Sequence, residues 1–345
     1  MVQITKGNII EADADAIVNT VNCVGYMGKG IALQFKKAFP ENFRAYERAV
    51  RQGEVRTGRM FVFDRRSLVN PRYIINFPTK RHWRGKSRID FIATGLRTLI
   101  GETRKRQIRT IAIPPLGCGL GGLDWDVVRP MIEKAFSELP TVRVLLFEPI
   151  GAPDARKMPV RTRRPKMTVA RALFIKIMQR YAELAYRLTL LEIQKLAYFL
   201  QEAGEPLKLN YEAGTYGPYA HNLNKVLETL EGHFIRGYGD KQSPDVEIEL
   251  LPGAVAAAEK FLMDHPSSRS CLERVARLIE GFETPYGMEL LSSAHWVARH
   301  TEPPATGADE AVQLVHQWNE RKQQIFRSSH IRIAWERLRE NQLVN

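Results

Sequence analysis

The sequence predicts an α/β layer sandwich built on a largely parallel sheet, followed by a mainly α-helical second domain. Three observations carry this. Over residues 1–150, short β-branched apolar runs alternate with amphipathic stretches, the pattern of strands and crossover helices. Two glycine-rich segments each stand between a strand and a helix. From residue 167 onward the spacing is helical almost throughout. At 345 residues, 44% hydrophobic and 26% charged, the chain has a folded protein's composition and room for two cores.

In order, strands are expected at 15–21, 58–63, 72–77, 109–113 and 142–147, and helices at 30–39, 87–105 and 125–139. Ser87 and Asp124 stand where N-caps belong. The stretch 151–166 holds three prolines, many cations and no apolar period, so 156–166 reads as a linker between domains at 1–155 and 167–345. Helices then follow at 169–187, 189–203, 218–231, 254–264, 272–282, 285–299, 308–325 and 330–341. A short hairpin fits 234–251, where Gly237, Gly239 and Asp240 supply turn chemistry.

Composition excludes several classes. Three scattered cysteines (Cys23, Cys118, Cys271) make neither a disulfide framework nor a CxxC metal site, and they fit a reducing cytoplasm. With no basic-then-apolar leader and no apolar run of about 18 residues, neither export nor membrane insertion is expected. The eight histidines show no metal-ligand spacing, so no metal and no cofactor are expected.

The +13 net charge is unevenly placed. Residues 1–200 carry 36 Lys and Arg against 17 Asp and Glu, whereas residues 201–345 carry 15 against 21. The block 51–100 alone has 12 basic and 3 acidic residues, a field suited to a polyanion. Arginine outnumbers lysine two to one, which an Arg-rich genome or thermal adaptation would also produce. Composition alone therefore leans toward nucleic acid without deciding it.

Three loops hold the chemistry. In 19–29 (NTVNCVGYMGK), Gly25, Gly28 and the following Gly30 let backbone approach a ligand ahead of a helix N-terminus, while Asn19 and Asn22 can bond sugar hydroxyls. A tight strand-to-helix turn is the bland alternative. In 114–125 (PPLGCGLGGLDW), Gly117, Gly119, Gly121 and Gly122 raise the entropy of the unfolded loop, and free N–H groups around phosphates are the usual reason. It lacks the Lys-Ser/Thr pair of a P-loop. In 76–88 (NFPTKRHWRGKSR), cations flank an aromatic ring, which suits single-stranded nucleic acid. The alternative is a solvated basic loop with Trp83 in the core.

GNI at Gly7, the segment NTVNCVGYMGKGIALQFKKAFP and PLGCGLGGLDW together resemble a macrodomain, the three-layer α/β/α ADP-ribose-binding fold with a mixed, largely parallel sheet. The resemblance is closer to the DarG antitoxins of DarT/DarG toxin–antitoxin systems, whose macrodomain removes ADP-ribose that the toxin places on thymine in single-stranded DNA. It implies Asn8 and Ile9 at the adenine, Phe147 covering it, and Asn22 at the distal ribose with Thr20 in the same site. It places Gly28, Lys29, Gly30 and Ile31, with Gly117, Cys118, Gly119, Leu120, Gly121 and Gly122, around the diphosphate. Two positions depart from relatives: many macrodomains have Asp at the place of Asn8, and the human terminal ADP-ribose glycohydrolase has Asp at the place of Gly121.

The resemblance also makes Lys80 the catalytic lysine, with Arg81, Trp83, Arg84 and Arg88 as the DNA surface. Breaking the bond from ribose C1″ to thymine N3 builds positive charge on the sugar and negative charge on the leaving base. Lys80 must therefore face the departing base as a cation or proton donor, or attack C1″ as a neutral nucleophile favoured by nearby cations. In the second half, 188–200 (LTLLEIQKLAYFL) and 211–227 resemble the SocA-like, or Panacea-type, antitoxin domains, in which a YGP turn opens the next helix. That implies a module binding the cognate ADP-ribosyltransferase toxin. The expected partners are thus ADP-ribosylated single-stranded DNA and the toxin. Rival readings are an ADP-ribose reader without turnover, and a hydrolase of ADP-ribosyl protein or O-acetyl-ADP-ribose. A lysine at 80 speaks against the first, and the basic block with Trp83 against the second.

Overall fold

A computed structural model describes residues 1–149, 158–183, 187–239 and 246–344. The chain divides into two compact units, one of Met1–Arg163 together with Gly239, and the other of the remaining described residues from Arg164 onward.

The first unit is an α/β/α sandwich. Its strands are β1 (Val2–Thr5), β2 (Ala16–Val21), β3 (Phe61–Asp64), β4 (Tyr73–Pro78), β5 (Thr110–Ile113) and β6 (Arg143–Phe147), in the order β1-β6-β5-β2-β4-β3. All neighbours run parallel except β3 against β4, so the sheet is mixed and largely parallel. Its helices are α1 (Gly30–Ala38), α2 (Pro40–Arg51), α3 (Ile89–Lys105) and α4 (Trp125–Phe136). Successive residues of a strand face opposite sides, and both sides are covered: Ile75 and Phe77 meet Leu96, Leu99 and Ile132, while Ile74 and Ile17 meet Phe35 and Phe39. Two-sided burial explains why these strands read as continuous apolar runs.

Two elements escape the sequence pattern. β1 is short and half-buried, and α2, opened by Pro40 at its first turn, follows α1 with only Phe39 between them. Asp124 caps α4 as expected, its carboxylate accepting from the Asp126 N–H at 2.9 Å. Ser87 does not cap α3. That helix starts at Ile89 after Arg88, and the buried Ser87 hydroxyl has no hydrogen-bond partner. The expected linker lies partly outside the described residues. Its described end packs on the first unit, where Met158 is buried beside Phe39 and the Arg161 N–H donates to the Lys37 carbonyl at 2.8 Å.

The second unit is mainly helical: α5 (Val169–Ala182), α6 (Leu190–Glu202), α7 (Leu223–Leu230), α8 (Ala254–Leu262), α9 (Pro266–Ile279), α10 (Pro285–Arg299), α11 (Ala308–Trp318), α12 (Glu320–Ile325) and α13 (Ser328–Glu340). Thr189 and Glu192 form a capping box at α6. The expected hairpin is present as β9 (Ile235–Arg236) and β10 (Glu249–Leu250), while Asp240, expected in its turn, lies outside the described residues. The YGP segment is corrected. It does not enter a helix but turns an antiparallel hairpin of β7 (Tyr211–Gly214) and β8 (Gly217–Ala220), because Lys195 of α6 donates to the Pro218 carbonyl at 2.7 Å and holds it extended. The expected helix over 308–325 is two helices, interrupted at Asn319, whose side chain caps the second.

Among the described residues one group of side chains has metal-ligand proximity: Glu202, His295 and His300, brought together from α6 and the α10 end. Spacing along the chain could not reveal it. The Tyr198 hydroxyl lies 2.7 Å from His295 Nδ1, and burial pushes that imidazole down to about 4. No helix among the described residues is long and apolar enough to cross a membrane.

Candidate functional site

The candidate residues converge at one edge of the first unit's sheet, the carboxyl ends of its parallel strands, where open α/β sheets bind ligands. β1 leads to Asn8 and Ile9, β2 to the loop before α1, β4 to the basic loop, β5 to the second glycine loop, and β6 ends on Phe147. Thr20 is the penultimate residue of β2, in register with Phe77.

Beneath the first two loops lies a buried amide cluster. Asn19 Nδ2 donates to Asn76 Oδ1 at 3.0 Å, and Asn76 Nδ2 donates to Asn42 Oδ1 at 2.8 Å, tying β2, β4 and α2 together. Asn19, a candidate sugar contact by sequence, is fully buried and serves this scaffold. Asn22 is also committed internally: its Oδ1 accepts from the Val24 N–H at 2.9 Å and from the Tyr26 N–H at 3.3 Å. Tyr46 of α2 fixes the same residue by donating to the Asn22 carbonyl at 2.7 Å. Asn22 thus shapes the first loop, and Gly28, Lys29, Gly30 and Ile31 lead from it into α1, where Lys29 holds the N-cap position without a side-chain cap. Asn42, Asn76 and Tyr46 were not singled out by sequence reasoning, although an asparagine inside the apolar run of β4 was a usable signal.

Asn8, expected at the adenine, caps a short 3-10 turn through its Oδ1, which accepts from the Ile10 N–H at 3.1 Å, and its Nδ2 is buried without a partner among the described residues. Ile9 and Phe147 are both buried in one apolar cluster. The Asn8 amide is thus an unpaired buried donor at the place where other macrodomains have a carboxylate.

The second glycine loop shows why its glycines are needed. Gly117 and Gly122 have φ of +74° and +75°, the left-handed region that side chains disfavour. Gly121 is constrained by space: a Cβ there would fall well inside 3.0 Å of both the Ser87 hydroxyl and the Gly117 carbonyl oxygen. The aspartate found here in the human glycohydrolase cannot be accommodated. The loop is closed by Cys118 N–H to Pro115 O, Gly122 N–H to Gly119 O and Leu123 N–H to Gly117 O. Among the described residues the N–H groups of Gly119, Leu120 and Gly121 make no hydrogen bond, so three successive donors stand ready for an anion.

The basic loop fastens to both neighbours. Thr79 N–H donates to Val21 O and Cys23 N–H to Arg81 O, each at 3.0 Å, on the first-loop side. Ser87 N–H donates to Gly121 O at 3.0 Å on the other. Lys80 lies between. Its Nζ donates to the carbonyls of Trp83 at 3.2 Å and Leu120 at 3.3 Å, so the amine touches the glycine loop. Half-burial, and then the Lys86 ammonium, hold Lys80 below the ordinary lysine range.

Trp83 is not in the core. It is 38% exposed, its ring 5.5 Å from Tyr26 and 5.4 Å from His82, with the Arg84 guanidinium 4.7 Å from its centroid. Arg81 lies over Phe91, and Arg88 pairs with Asp90 at 2.8 Å, leaving it only partly available to a phosphate. Burial raises the Cys23 thiol against the opposing effect of Arg81, and raises Cys118 to about 11 with Asp124 adding to it, so both are poor nucleophiles at neutral pH.

The Macro domain family matches residues 18–132. Over 342 residues the chain is 46% identical to a protein of Thermus aquaticus named DNA ADP-ribosyl glycohydrolase, covering 98% of this chain and 93% of that one. It is 31% identical over 173 residues to a DNA ADP-ribosyl transferase-DNA ADP-ribosyl glycohydrolase fusion protein of Thermosipho africanus, covering 45% and 44%. Among solved structures, the macrodomain of Mycobacterium tuberculosis DarG is 51% identical with a TM-score of 0.43, covering 43% of this chain and 98% of that one.

Proposed function

The chain belongs to the DarG family of DNA ADP-ribosyl glycohydrolases, and from that premise we propose that it removes ADP-ribose from thymine in single-stranded DNA. The observation that carries the reading is the position of Lys80: one amine, on the loop that bears the cations and Trp83, rests on the Leu120 carbonyl of the anion-ready glycine loop. A reader of ADP-ribose needs no lysine there, and a hydrolase of small esters needs no exposed tryptophan set among arginines.

In this mechanism the three free N–H groups of the second glycine loop hold the diphosphate, Asn8 and Ile9 meet the adenine with Phe147 behind them, and Asn22 keeps the first loop in shape at the distal ribose. Trp83 stacks on a base while Arg81, Arg84 and Arg88 follow phosphates. Burial and Lys86 favour the neutral amine at Lys80, which attacks C1″. A C–N bond forms, the C1″–N3 bond breaks, and its electron pair leaves with thymine N3, which takes up a proton. Water then displaces the lysine and frees ADP-ribose. Incubation with an ADP-ribosylated thymidine oligonucleotide should release ADP-ribose. No release by the full chain overturns the reading.

The partner is a DNA ADP-ribosyltransferase, a pairing supported by the fused relative. Residues 167–345 bind that toxin, an assignment supported by their acidic balance, since a DNA-modifying enzyme presents positive charge to its substrate. A chain with that segment replaced by an unrelated helical domain should still release ADP-ribose but fail to capture the toxin. Undiminished capture removes the assignment.

A further inference from the structure

The basic loop carries one cation to which the mechanism above gives no contact with the substrate. Arg88 is paired with Asp90, Arg81 lies over Phe91, Arg84 lies over Trp83, and Lys80 donates to two carbonyls. Lys86 is different. It is exposed, it forms no ion pair among the described residues, and its arm lies across the open side of Gly122, with Nζ 3.2 Å and Cδ 3.5 Å from where a Cβ would stand. Gly122 is thus a positive-φ residue whose open side is covered by the lysine arm. The neighbouring tie from Ser87 N–H to Gly121 O fixes the arm's starting point one residue away.

We propose that Lys86 is a further binding residue for the diphosphate, its ammonium closing the cradle formed by the free N–H groups of Gly119, Leu120 and Gly121. The assignment rests on the reading of that loop as the diphosphate site. An unpaired ammonium lying against Gly122, the residue that follows three unpaired N–H donors, suits a doubly charged ligand, the lysine supplying charge and the backbone supplying direction. The groups facing the Lys80 amine are the Trp83 and Leu120 carbonyls and the Lys86 ammonium, while the Cys23 thiol sits at the Lys80 carbonyl. Lys86 thus has a second consequence: it favours neutral Lys80 through charge.

The test uses the full chain with Lys86→Met and Lys86→Arg, titrated with ADP-ribose and with adenosine, which lacks the diphosphate. Lys86→Met should weaken ADP-ribose about tenfold, the usual worth of one charge-assisted contact, and leave adenosine unchanged. Lys86→Arg should recover most of the loss. The pH inflection that Lys80 gives to kcat/KM should move upward in Lys86→Met and return in Lys86→Arg, which a packing role would not produce. If wild-type protein binds ADP-ribose and Lys86→Met matches it, or if the inflection stays in place, the assignment fails while the glycine-loop reading stands. If wild-type protein does not bind ADP-ribose, both fail.

Discussion

Gly121→Ala tests the anion cradle most sharply, because the structure leaves no room for one methyl group. The new Cβ would meet the Ser87 hydroxyl, which could rotate, and also the Ser87 Cβ and the Gly117 carbonyl oxygen, which are fixed by the backbone. Restoring ordinary contact requires the loop to shift by roughly 1 Å, enough to spoil hydrogen bonds aimed at a fixed phosphate. If two of the three free N–H groups lose their aim, at about 1.5–3 kcal/mol for each charge-assisted bond, ADP-ribose binding weakens by about 3–6 kcal/mol, or roughly 10²- to 10⁴-fold. Isothermal titration with ADP-ribose reads this directly, and circular dichroism of the same samples checks that the fold is kept. Ser87→Ala/Gly121→Ala should stay weak, because the carbonyl collision remains. A folded Gly121→Ala protein that binds ADP-ribose within about threefold of wild type would refute the cradle.

Three further outcomes follow from the same geometry. Lys80→Ala should lower turnover by about 10³-fold or more while ADP-ribose still binds, measured by product release and titration. In wild type the rate should rise with pH through an inflection below the ordinary lysine value, since the neutral amine is the reactive form; a rate falling through that inflection would instead assign Lys80 to the leaving base. Replacing Trp83 and Arg84 by Ala should flatten the salt dependence of binding to modified oligonucleotide and spare the mononucleotide, and equal losses on both would confine the loop to shaping the pocket. Tyr46→Phe should cost about 1–2 kcal/mol of stability by leaving the Asn22 carbonyl without its donor, read as a lowered unfolding midpoint with reduced turnover; an unchanged midpoint would show the bond to be dispensable.

Much of this site was legible in sequence because its signals are local. Glycines crowded between a strand and a helix, and cations around one tryptophan, announce loops whose backbone and charge must be available. The strand ends that gather them follow from alternating patterns. What escaped was contact between distant segments. Asn19 reads as a sugar ligand until Asn76 and Asn42, 57 and 34 residues from their partners, are seen to consume its neighbourhood. Ser87 sits where a cap belongs, yet its N–H serves Gly121 and its hydroxyl caps nothing. Proline after glycine suggested a helix start at 218, and a lysine buried in α6 decided for a strand. Lys86 was one cation in a basic run until Gly122 gave its arm a place to lie.

The sheet's two margins bear on how the first unit behaves at high concentration. Its outermost strands, β1 and β3, have four residues each, against six in β2 and β4. β1 runs into Lys6, and β3 ends at Asp64 followed by Arg65 and Arg66, with Arg72 bonded back to that aspartate. Short, charge-flanked borders give another polypeptide few rungs on which to extend the sheet. Copies of the first unit brought close together therefore find little open strand on either side of the sheet to pair with.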